Sequence, residues 1–291
     1  MKAAVLRDGG ALAIEDVPEP DGDQVVDVHA AGINFADTLI RRGLYPQMPE
    51  LPYVPGSEVA GELDGRRVAA FVDGGLAERA AVRWSVDLPE HATFAQGAAF
   101  LTTYLTAYIP YAQRTYTDSV LVHAGSGGVG TAAIQLGKVE GATVYATAST
   151  DEKRAFAARA GADEVRAYDE IDDLRVDLVI DPVGGDVFTR SLPLLNPLGT
   201  IAAIGFAGGL WQDPSVQWLV GRNASVLGVY LGRLMKLEPE LVQRYAEELL
   251  ALWRDGLIEP VVGATYPLDR VDDALASIEK REHMGKVIVE P

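Results

Sequence analysis

The chain has 291 residues, with 25 Lys and Arg against 42 Asp and Glu, four His and no Cys. At about 150 residues per domain, that length suits two domains with their own cores and excludes a stapled mini-protein. A net charge of −17 disfavours nucleic acid and anionic membrane as partners, and the missing cysteine removes disulfides, thiolate nucleophiles and sulfur-ligated zinc. The opening MKAAVLRDGG reaches Arg7 and Asp8 after too few apolar residues for a signal-peptide core, and no apolar run approaches a membrane span. The expected location is cytoplasmic.

The first hundred residues carry short β-type runs punctuated by Gly and Pro: VVDVHAAG (25–32), SEVAGEL (57–63), RRVAAFV (66–72) and AERAAV (77–82). They predict a small, irregular β domain. FAQGAAFLTTYLTAYIPYA (94–112) has helical spacing and predicts a helix bridging two domains, ended or kinked by Pro110. From Ser119, β-branched runs alternate with helix-length segments: 119–125, 142–148, 163–168, 176–183, 199–206 and 225–231. Parallel neighbours need crossover helices on both faces, so this alternation predicts a doubly wound parallel sheet of Rossmann type. Residues 238–256 read as a long amphipathic helix, and the tail after them returns to strand and turn texture and is expected to rejoin the first domain.

The strand SVLVHA runs into Gly125-Ser126-Gly127-Gly128-Val129-Gly130 and then a helical stretch, which is the strand–turn–helix context that gives G-x-G-x-x-G its meaning. Gly125 is read as the tight-turn residue, Gly127 as the point of backbone approach to a pyrophosphate and Gly130 as the close helix–strand contact. The phosphates of a dinucleotide would meet free N–H groups at the helix N-terminus. A P-loop is excluded because Thr131 and Ala132 stand where Lys and Ser/Thr are required. The second strand ends Ala146-Thr147-Ala148-Ser149 without the acid that binds the ribose 2′-OH of NAD, and Lys153 and Arg154 follow. NADPH is the expected cofactor, with Ser149 and Lys153 placed to meet its 2′-phosphate. Asp151 is read either as the cap of a helix whose basic residues are solvated or as an acid turned back towards the ribose.

AGINFADTLIRRGLYP (31–46), VPGSEVAGEL (54–63), LTAY (105–108), SVLVHAGSGGVGTAAIQLGK (119–138), ATASTDEKR (146–154), DPVGG (181–185) and HMGKVIVEP (283–291) together resemble the zinc-independent quinone oxidoreductase branch of the medium-chain dehydrogenase/reductase superfamily. The resemblance implies a GroES-like domain over residues 1–100, completed by 262–291, and a Rossmann domain over 101–261. It also implies a cofactor in the cleft between them and a homodimer. Where the zinc-dependent relatives place a metal-binding Cys and the His of G-H-E, this chain has Asn34-Phe35-Ala36-Asp37 and Gly56-Ser57-Glu58, so no metal is expected. Carried over by position, Gly125 to Gly130 and Thr147 bind the cofactor, and Ser149, Lys153 and Tyr168 surround the 2′-phosphate. Asp181, Val183 and Phe206 face the nicotinamide ribose and ring, and Lys286 reaches the cofactor. Asn34, Asp37, Tyr45 and Thr106 form the nicotinamide-side pocket, with Tyr45 either a proton donor or a wall aromatic. The stretch from Gly61 to Val72 is short for the family.

His29, His91, His123 and His283 are scattered and read as packing or surface residues. Tyr104, Tyr108 and Tyr111 recur at helical spacing and read as a buried stripe, or else as the wall of an aromatic acceptor site. The resulting expectation is hydride transfer from NADPH to a quinone or an α,β-unsaturated carbonyl. Two other readings stay open: an NADPH-binding sensor or structural protein without turnover, and an enoyl-thioester reductase using Arg41 and Arg42 at the pocket mouth.

Overall fold

The computed structural model describes residues 1–114, 117–211 and 213–291. In chain order, the first elements are β1 (Lys2–Leu6), β2 (Leu12–Asp16), β3 (Val25–Ile33), α1 (Phe35–Arg41), β4 (Glu58–Leu63), β5 (Arg66–Asp73) and β6 (Arg79–Asp87). Then come α2 (Phe94–Ala98), α3 (Leu101–Ala112), β7 (Ser119–Val122), α4 (Gly128–Val139), β8 (Thr143–Thr147), α5 (Asp151–Arg159), β9 (Glu164–Arg166) and β10 (Val176–Asp181). The chain continues with α6 (Gly185–Ser191), β11 (Leu195–Ala203), α7 (Val216–Arg222), β12 (Ser225–Gly228), α8 (Leu231–Leu237) and α9 (Pro239–Arg254). It closes with β13 (Val262–Pro267), α10 (Val271–Glu279) and β14 (Lys286–Glu290). These elements fall into two compact units, Met1–Thr102 with Glu259–Pro291, and Thr103–Ile258.

In the first unit, alternation along β3 buries Val26, Val28 and Ala30 while Asp27 and His29 face outward. The sheet order is β13-β14-β3-β4-β5-β6, with β3 also pairing β6. β4 and β5 are joined by Asp64 and Gly65, both at positive φ (50° and 76°), the two-residue turn whose twist suits a hairpin. The tail rejoins this unit, with β14 antiparallel to β3, Val287 opposite Ile33 and Val289 opposite Ala31. The tail is not only strand and turn, however. Val271, Ala274, Leu275 and Ile278 repeat at i, i+3, i+4 and i+7 on α10 and fill the same core as Val26, Leu63 and Val287. Nine residues are a short run for periodicity, and the flanking strand-like segments hid it.

In the second unit, all six expected strands pair in parallel, in the order β12-β11-β10-β7-β8-β9. The chain winds outward from β7 through β8 to β9, then returns to β10 and winds the other way. The order therefore reverses between β7 and β10, the place where loops at the strand C-termini diverge to leave room for a ligand. The single helix expected over 94–112 is in fact two, because Ala99 and Phe100 are buried outside helical structure between α2 and α3. Pro110 lies inside α3, in its last turn, where its ring removes the N–H that would bond the carbonyl four residues back.

Candidate active site

The phosphate loop of the second unit is built by packing rather than by glycine's conformational freedom. The residue at positive φ is Ala124 (50°), not Gly125, so the tight-turn role expected of Gly125 falls one position earlier. A Cβ on Gly125 would stand 2.9 Å from the Cβ of Ala146 on β8, which makes this glycine a strand-packing residue. A Cβ on Gly130 would fall 2.2 Å from the Ala124 carbonyl oxygen, so helix and loop approach each other closely at this glycine. Gly127 caps α4, and a Cβ there would meet only the Ala124 oxygen at 3.4 Å. That leaves the first turn of a twelve-residue helix, with Gly128 and Val129 in it, open to an anion; Ser126 beside it is buried.

Beyond β8, Ser149 is exposed and Thr150, not Asp151, caps α5 by accepting from the Lys153 N–H at 3.3 Å. Asp151 instead points to solvent and pairs with Arg154, whose guanidinium also donates to the Ala148 carbonyl. Thr150 therefore takes the cap expected of Asp151. Lys153 is half-buried in the first turn of α5. Tyr168, just after β9, stacks on the His123 ring with centroids 5.9 Å apart and planes 23° apart.

His123 is wholly buried, and burial holds its pKa down to about 3, so the ring is neutral. Its tautomer follows from its partners. The Ser191 hydroxyl donates to the Val187 carbonyl (2.7 Å) and so accepts from His123 Nε2–H (2.7 Å). Nδ1 then carries the lone pair and accepts from the Thr147 hydroxyl at 2.8 Å.

At the end of β10, buried Asp181 accepts from the N–H groups of Val183 (2.8 Å) and Gly184 (2.9 Å) through Oδ1. Its Oδ2 has no hydrogen-bond partner among the described residues, and burial raises the carboxyl's pKa. A buried carboxylate oxygen without a donor is a group that a ligand hydroxyl would satisfy. Phe206, after β11, packs against exposed Trp211 at 4.8 Å between centroids. On α3, Thr106, Tyr104 and Tyr111 are buried, and half-buried Tyr108 donates to Glu248 (2.6 Å), so the tyrosines follow the buried-stripe reading at two of three positions.

The first unit gathers four more polar residues. Lys286 opens β14 with its side chain 4% exposed, and its Nζ donates to Glu58 Oε2 (2.9 Å) and Asn34 Oδ1 (2.6 Å). Fully buried Glu58 opens β4 and accepts the Thr102 N–H through Oε1 at 2.8 Å. Asp37, on the first turn of α1, accepts the Asn34 N–H at 2.7 Å. Burial lifts its pKa to about 6, against the pull of the Asn34 N–H and the Lys286 charge. Gly32 allows this crowding: a Cβ there would lie 2.1 Å from the Ala98 carbonyl oxygen and 2.9 Å from the Lys286 side chain. Tyr45 follows α1 half-buried, and Arg41 is tied to Asp272 on α10.

Comparison with known proteins agrees with both halves. Residues 20–84 match the alcohol dehydrogenase GroES-like domain and residues 160–289 a domain described as zinc-binding dehydrogenase. Human quinone oxidoreductase is 35% identical over 90% of this chain and 87% of its own length. The synaptic vesicle membrane protein VAT-1 homolog of Rattus norvegicus is 33% identical over 96% of this chain and 79% of its own. The chain belongs to the zinc-independent quinone oxidoreductase branch of the medium-chain dehydrogenase/reductase superfamily. Among solved structures, the quinone oxidoreductase of Thermus thermophilus, studied also as its NADPH complex, superposes with a TM-score of 0.91 at 38% identity, over the full length of both chains. A mycobacterial protein complexed with NADPH gives a TM-score of 0.91 at 30% identity, again over both full chains.

The wider superfamily implies zinc, and the donor set does not fit it. The chain has no Cys, Asn34 and Ser57 stand at the ligand places, and among the described residues no three His, Asp or Glu converge to hold a metal. What converges at Asn34 is an ammonium. In the sequence Glu58 shows only as part of the Gly56-Ser57-Glu58 departure, and His123 only as a packing or surface residue. The available signal was one charged residue heading each of two apolar strands, EVAGEL and KVIVE.

Two measurements follow. Removing one partner of a buried pair leaves the other charge stranded, so Lys286→Met should destabilise the fold by about 3–5 kcal/mol. Adding Glu58→Gln should recover part of that loss in urea unfolding. For Asp37, a folded pKa near 6 against an ordinary 3.8 means that its contribution is complete below about pH 4 and is lost as pH rises through 6. Asp37→Asn should therefore gain on the native protein by up to roughly 3 kcal/mol between pH 4 and 7, read as the pH dependence of the stability difference.

Proposed function

We propose that this chain is an NADPH-dependent reductase of small electron-poor acceptors, a quinone in the first place and an α,β-unsaturated carbonyl in the second, working without a metal as a homodimer. The observation that carries the reading is the strand–loop–helix around Gly125 to Gly130, open at Gly127 and closed at Gly130, in a chain without a zinc donor set. NADPH complexes among the similar structures support the cofactor. So does a β8 end with no acid before Ser149 and Lys153. The orphan Asp181 Oδ2 offers an acceptor to a ribose hydroxyl.

When bound, the dinucleotide supplies a hydride from its nicotinamide ring. The protein has to bind, orient and deliver a proton. In this reading the N–H groups opening α4 hold the pyrophosphate, while Ser149, Lys153 and Tyr168 hold the 2′-phosphate. Thr106, Val183 and Phe206 line the nicotinamide. The Tyr45 phenol would give its proton to the acceptor oxygen as negative charge develops there and regain one from solvent, so that a quinone leaves as hydroquinone and an enone as the enol, which tautomerises in water to the saturated ketone. Asn34 is held in the first unit by Lys286, which donates to its amide oxygen. The Phe206 and Trp211 rings, tilted by 42° to each other, offer aromatic surface to an unsaturated acceptor. For the dimer, β12 ends its sheet with no strand on its outer side among the described residues, and Val216 and Val220 on α7 are each 72% exposed, an edge that pairing with a second copy would cover.

Loss of NADPH absorbance at 340 nm against 1,4-benzoquinone, 9,10-phenanthrenequinone, 2-cyclohexenone and crotonyl-CoA tests the reading. Rapid oxidation with a quinone is expected. Silence across the panel, with NADPH still bound in a fluorescence titration, would favour the sensor reading, and turnover confined to crotonyl-CoA the thioester one. Lys153→Glu should weaken NADPH at least tenfold more than NADH, on the order of one charge-assisted hydrogen bond; equal losses would count against the 2′-phosphate assignment. Tyr45→Phe should lower kcat on 2-cyclohexenone by about 10²-fold, the lower range for a general acid, with NADPH affinity unchanged, whereas full turnover would make Tyr45 a wall residue.

A further inference from the structure

His123 belongs to no catalytic step above, yet its ring is fastened at both nitrogens. It is neutral, fixed in one tautomer and hydrogen-bonded at both ring nitrogens. Its partners come from separate elements. Thr147 ends β8, two residues before Ser149, and its carbonyl accepts the Gly125 N–H at 2.9 Å. Ser191 ends α6, the helix that starts directly after the turn held by Asp181. Tyr168 stacks on the ring from the β9 side. His123 itself sits between the end of β7 and the phosphate loop, its N–H donating to the Ile180 carbonyl of β10 at 3.0 Å.

We infer that His123 is a positioning residue for the cofactor: a single uncharged ring that sets the spacing between the pyrophosphate loop and the adenosine-side residues Ser149, Lys153 and Tyr168, and thereby the preference for NADPH over NADH. The inference rests on the reading that those three residues meet the 2′-phosphate. The reason for an imidazole is specific. An amide or a hydroxyl placed at the end of β7 is too short to bridge Thr147 and Ser191, which lie on opposite sides of the ring. A Lys or Arg would carry a charge into a site that offers no carboxylate to either ring nitrogen. A phenyl ring would keep the stacking surface for Tyr168 and lose both fastenings. The ring thus combines two hydrogen bonds and one stacking face at no electrostatic cost. Because it is neutral well above its pKa, the fastening does not loosen anywhere in the physiological pH range.

The test compares His123→Phe and Ser191→Ala with the native enzyme, measuring Kd for NADPH and NADH by fluorescence titration and steady-state kinetics with 1,4-benzoquinone. His123→Phe keeps the stacked ring and loses both hydrogen bonds. Ser191→Ala releases only the Nε2 end and touches no residue assigned to the cofactor, so it serves if His123→Phe does not fold. His123→Phe is expected to raise Kd and KM for NADPH about tenfold, with NADH changed less than threefold and kcat at saturating NADPH within about twofold. Ser191→Ala should move selectivity in the same direction by about threefold. His123→Asn, which restores a partner for Thr147 alone, should recover part of the selectivity. Variants that melt at lower temperature while keeping the native NADPH-to-NADH ratio would make His123 a purely structural residue and overturn the inference. If Lys153→Glu lowers the ratio and His123→Phe and Ser191→Ala do not, the inference fails while the 2′-phosphate reading stands. If Lys153→Glu leaves the ratio intact as well, both fail.

Discussion

A buried ammonium must find a counter-charge, and in this chain that requirement joins its two ends. Lys286 lies 228 residues from Glu58, and both side chains are removed from water. Desolvating both ions costs several kcal/mol each, recovered only when geometry is good and the remaining donors and acceptors are used. Here Glu58 also accepts the Thr102 N–H, Lys286 also donates to Asn34, and Gly32 is small enough to let Ala98 close over the group. The C-terminal strand can therefore dock in one register beside β3, and a chain whose middle forms a separate unit returns to complete its first sheet.

That ion pair also explains what replaced the metal of the wider superfamily. Zinc would bring two positive charges held by thiolates and imidazole. This chain has no thiolate, and the cation at Asn34 is a lysine that carries its own carboxylate. Asp37, close enough to feel both charges, keeps an elevated pKa because burial outweighs the attraction of Lys286. The cluster is a set of buried polar groups that satisfy one another within the first unit.

The second unit solves its polar problem in the opposite way. Among the described residues its buried groups include His123 as a fixed neutral tautomer and Asp181, held by two loop N–H groups and with one oxygen lacking a hydrogen-bond partner there. The positive end of α4 stays available to an anion because Gly127 adds no atoms in front of it. A parallel sheet collects these features at the C-terminal ends of β7, β8 and β10, where the strand order reverses.

Periodicity and punctuation determined most of the architecture. Alternating β-branched and helical runs specify six parallel strands, four of whose five connections carry a helix while β9 returns to β10 without one, and G-x-G-x-x-G between SVLVHA and a helix specifies a dinucleotide loop, since backbone and dipole there have few other uses. The GroES-like partner and the family were legible in motifs spread over the chain. Tertiary structure alone decided which residues share a site. Local pattern is silent on contacts between distant segments, so the sequence offers Lys286 as a residue reaching the cofactor and His123 as a packing or surface residue, whereas the fold ties Lys286 to Glu58 and Asn34 and His123 to Thr147 and Ser191. It also reassigned neighbours at the scale of one residue: Ala124 instead of Gly125 takes the left-handed turn, and Thr150 instead of Asp151 caps α5. Such choices depend on which atom meets Ala146, the Ala124 carbonyl or the Lys153 N–H once the strands and helices have packed, and spacing along a chain carries no record of that.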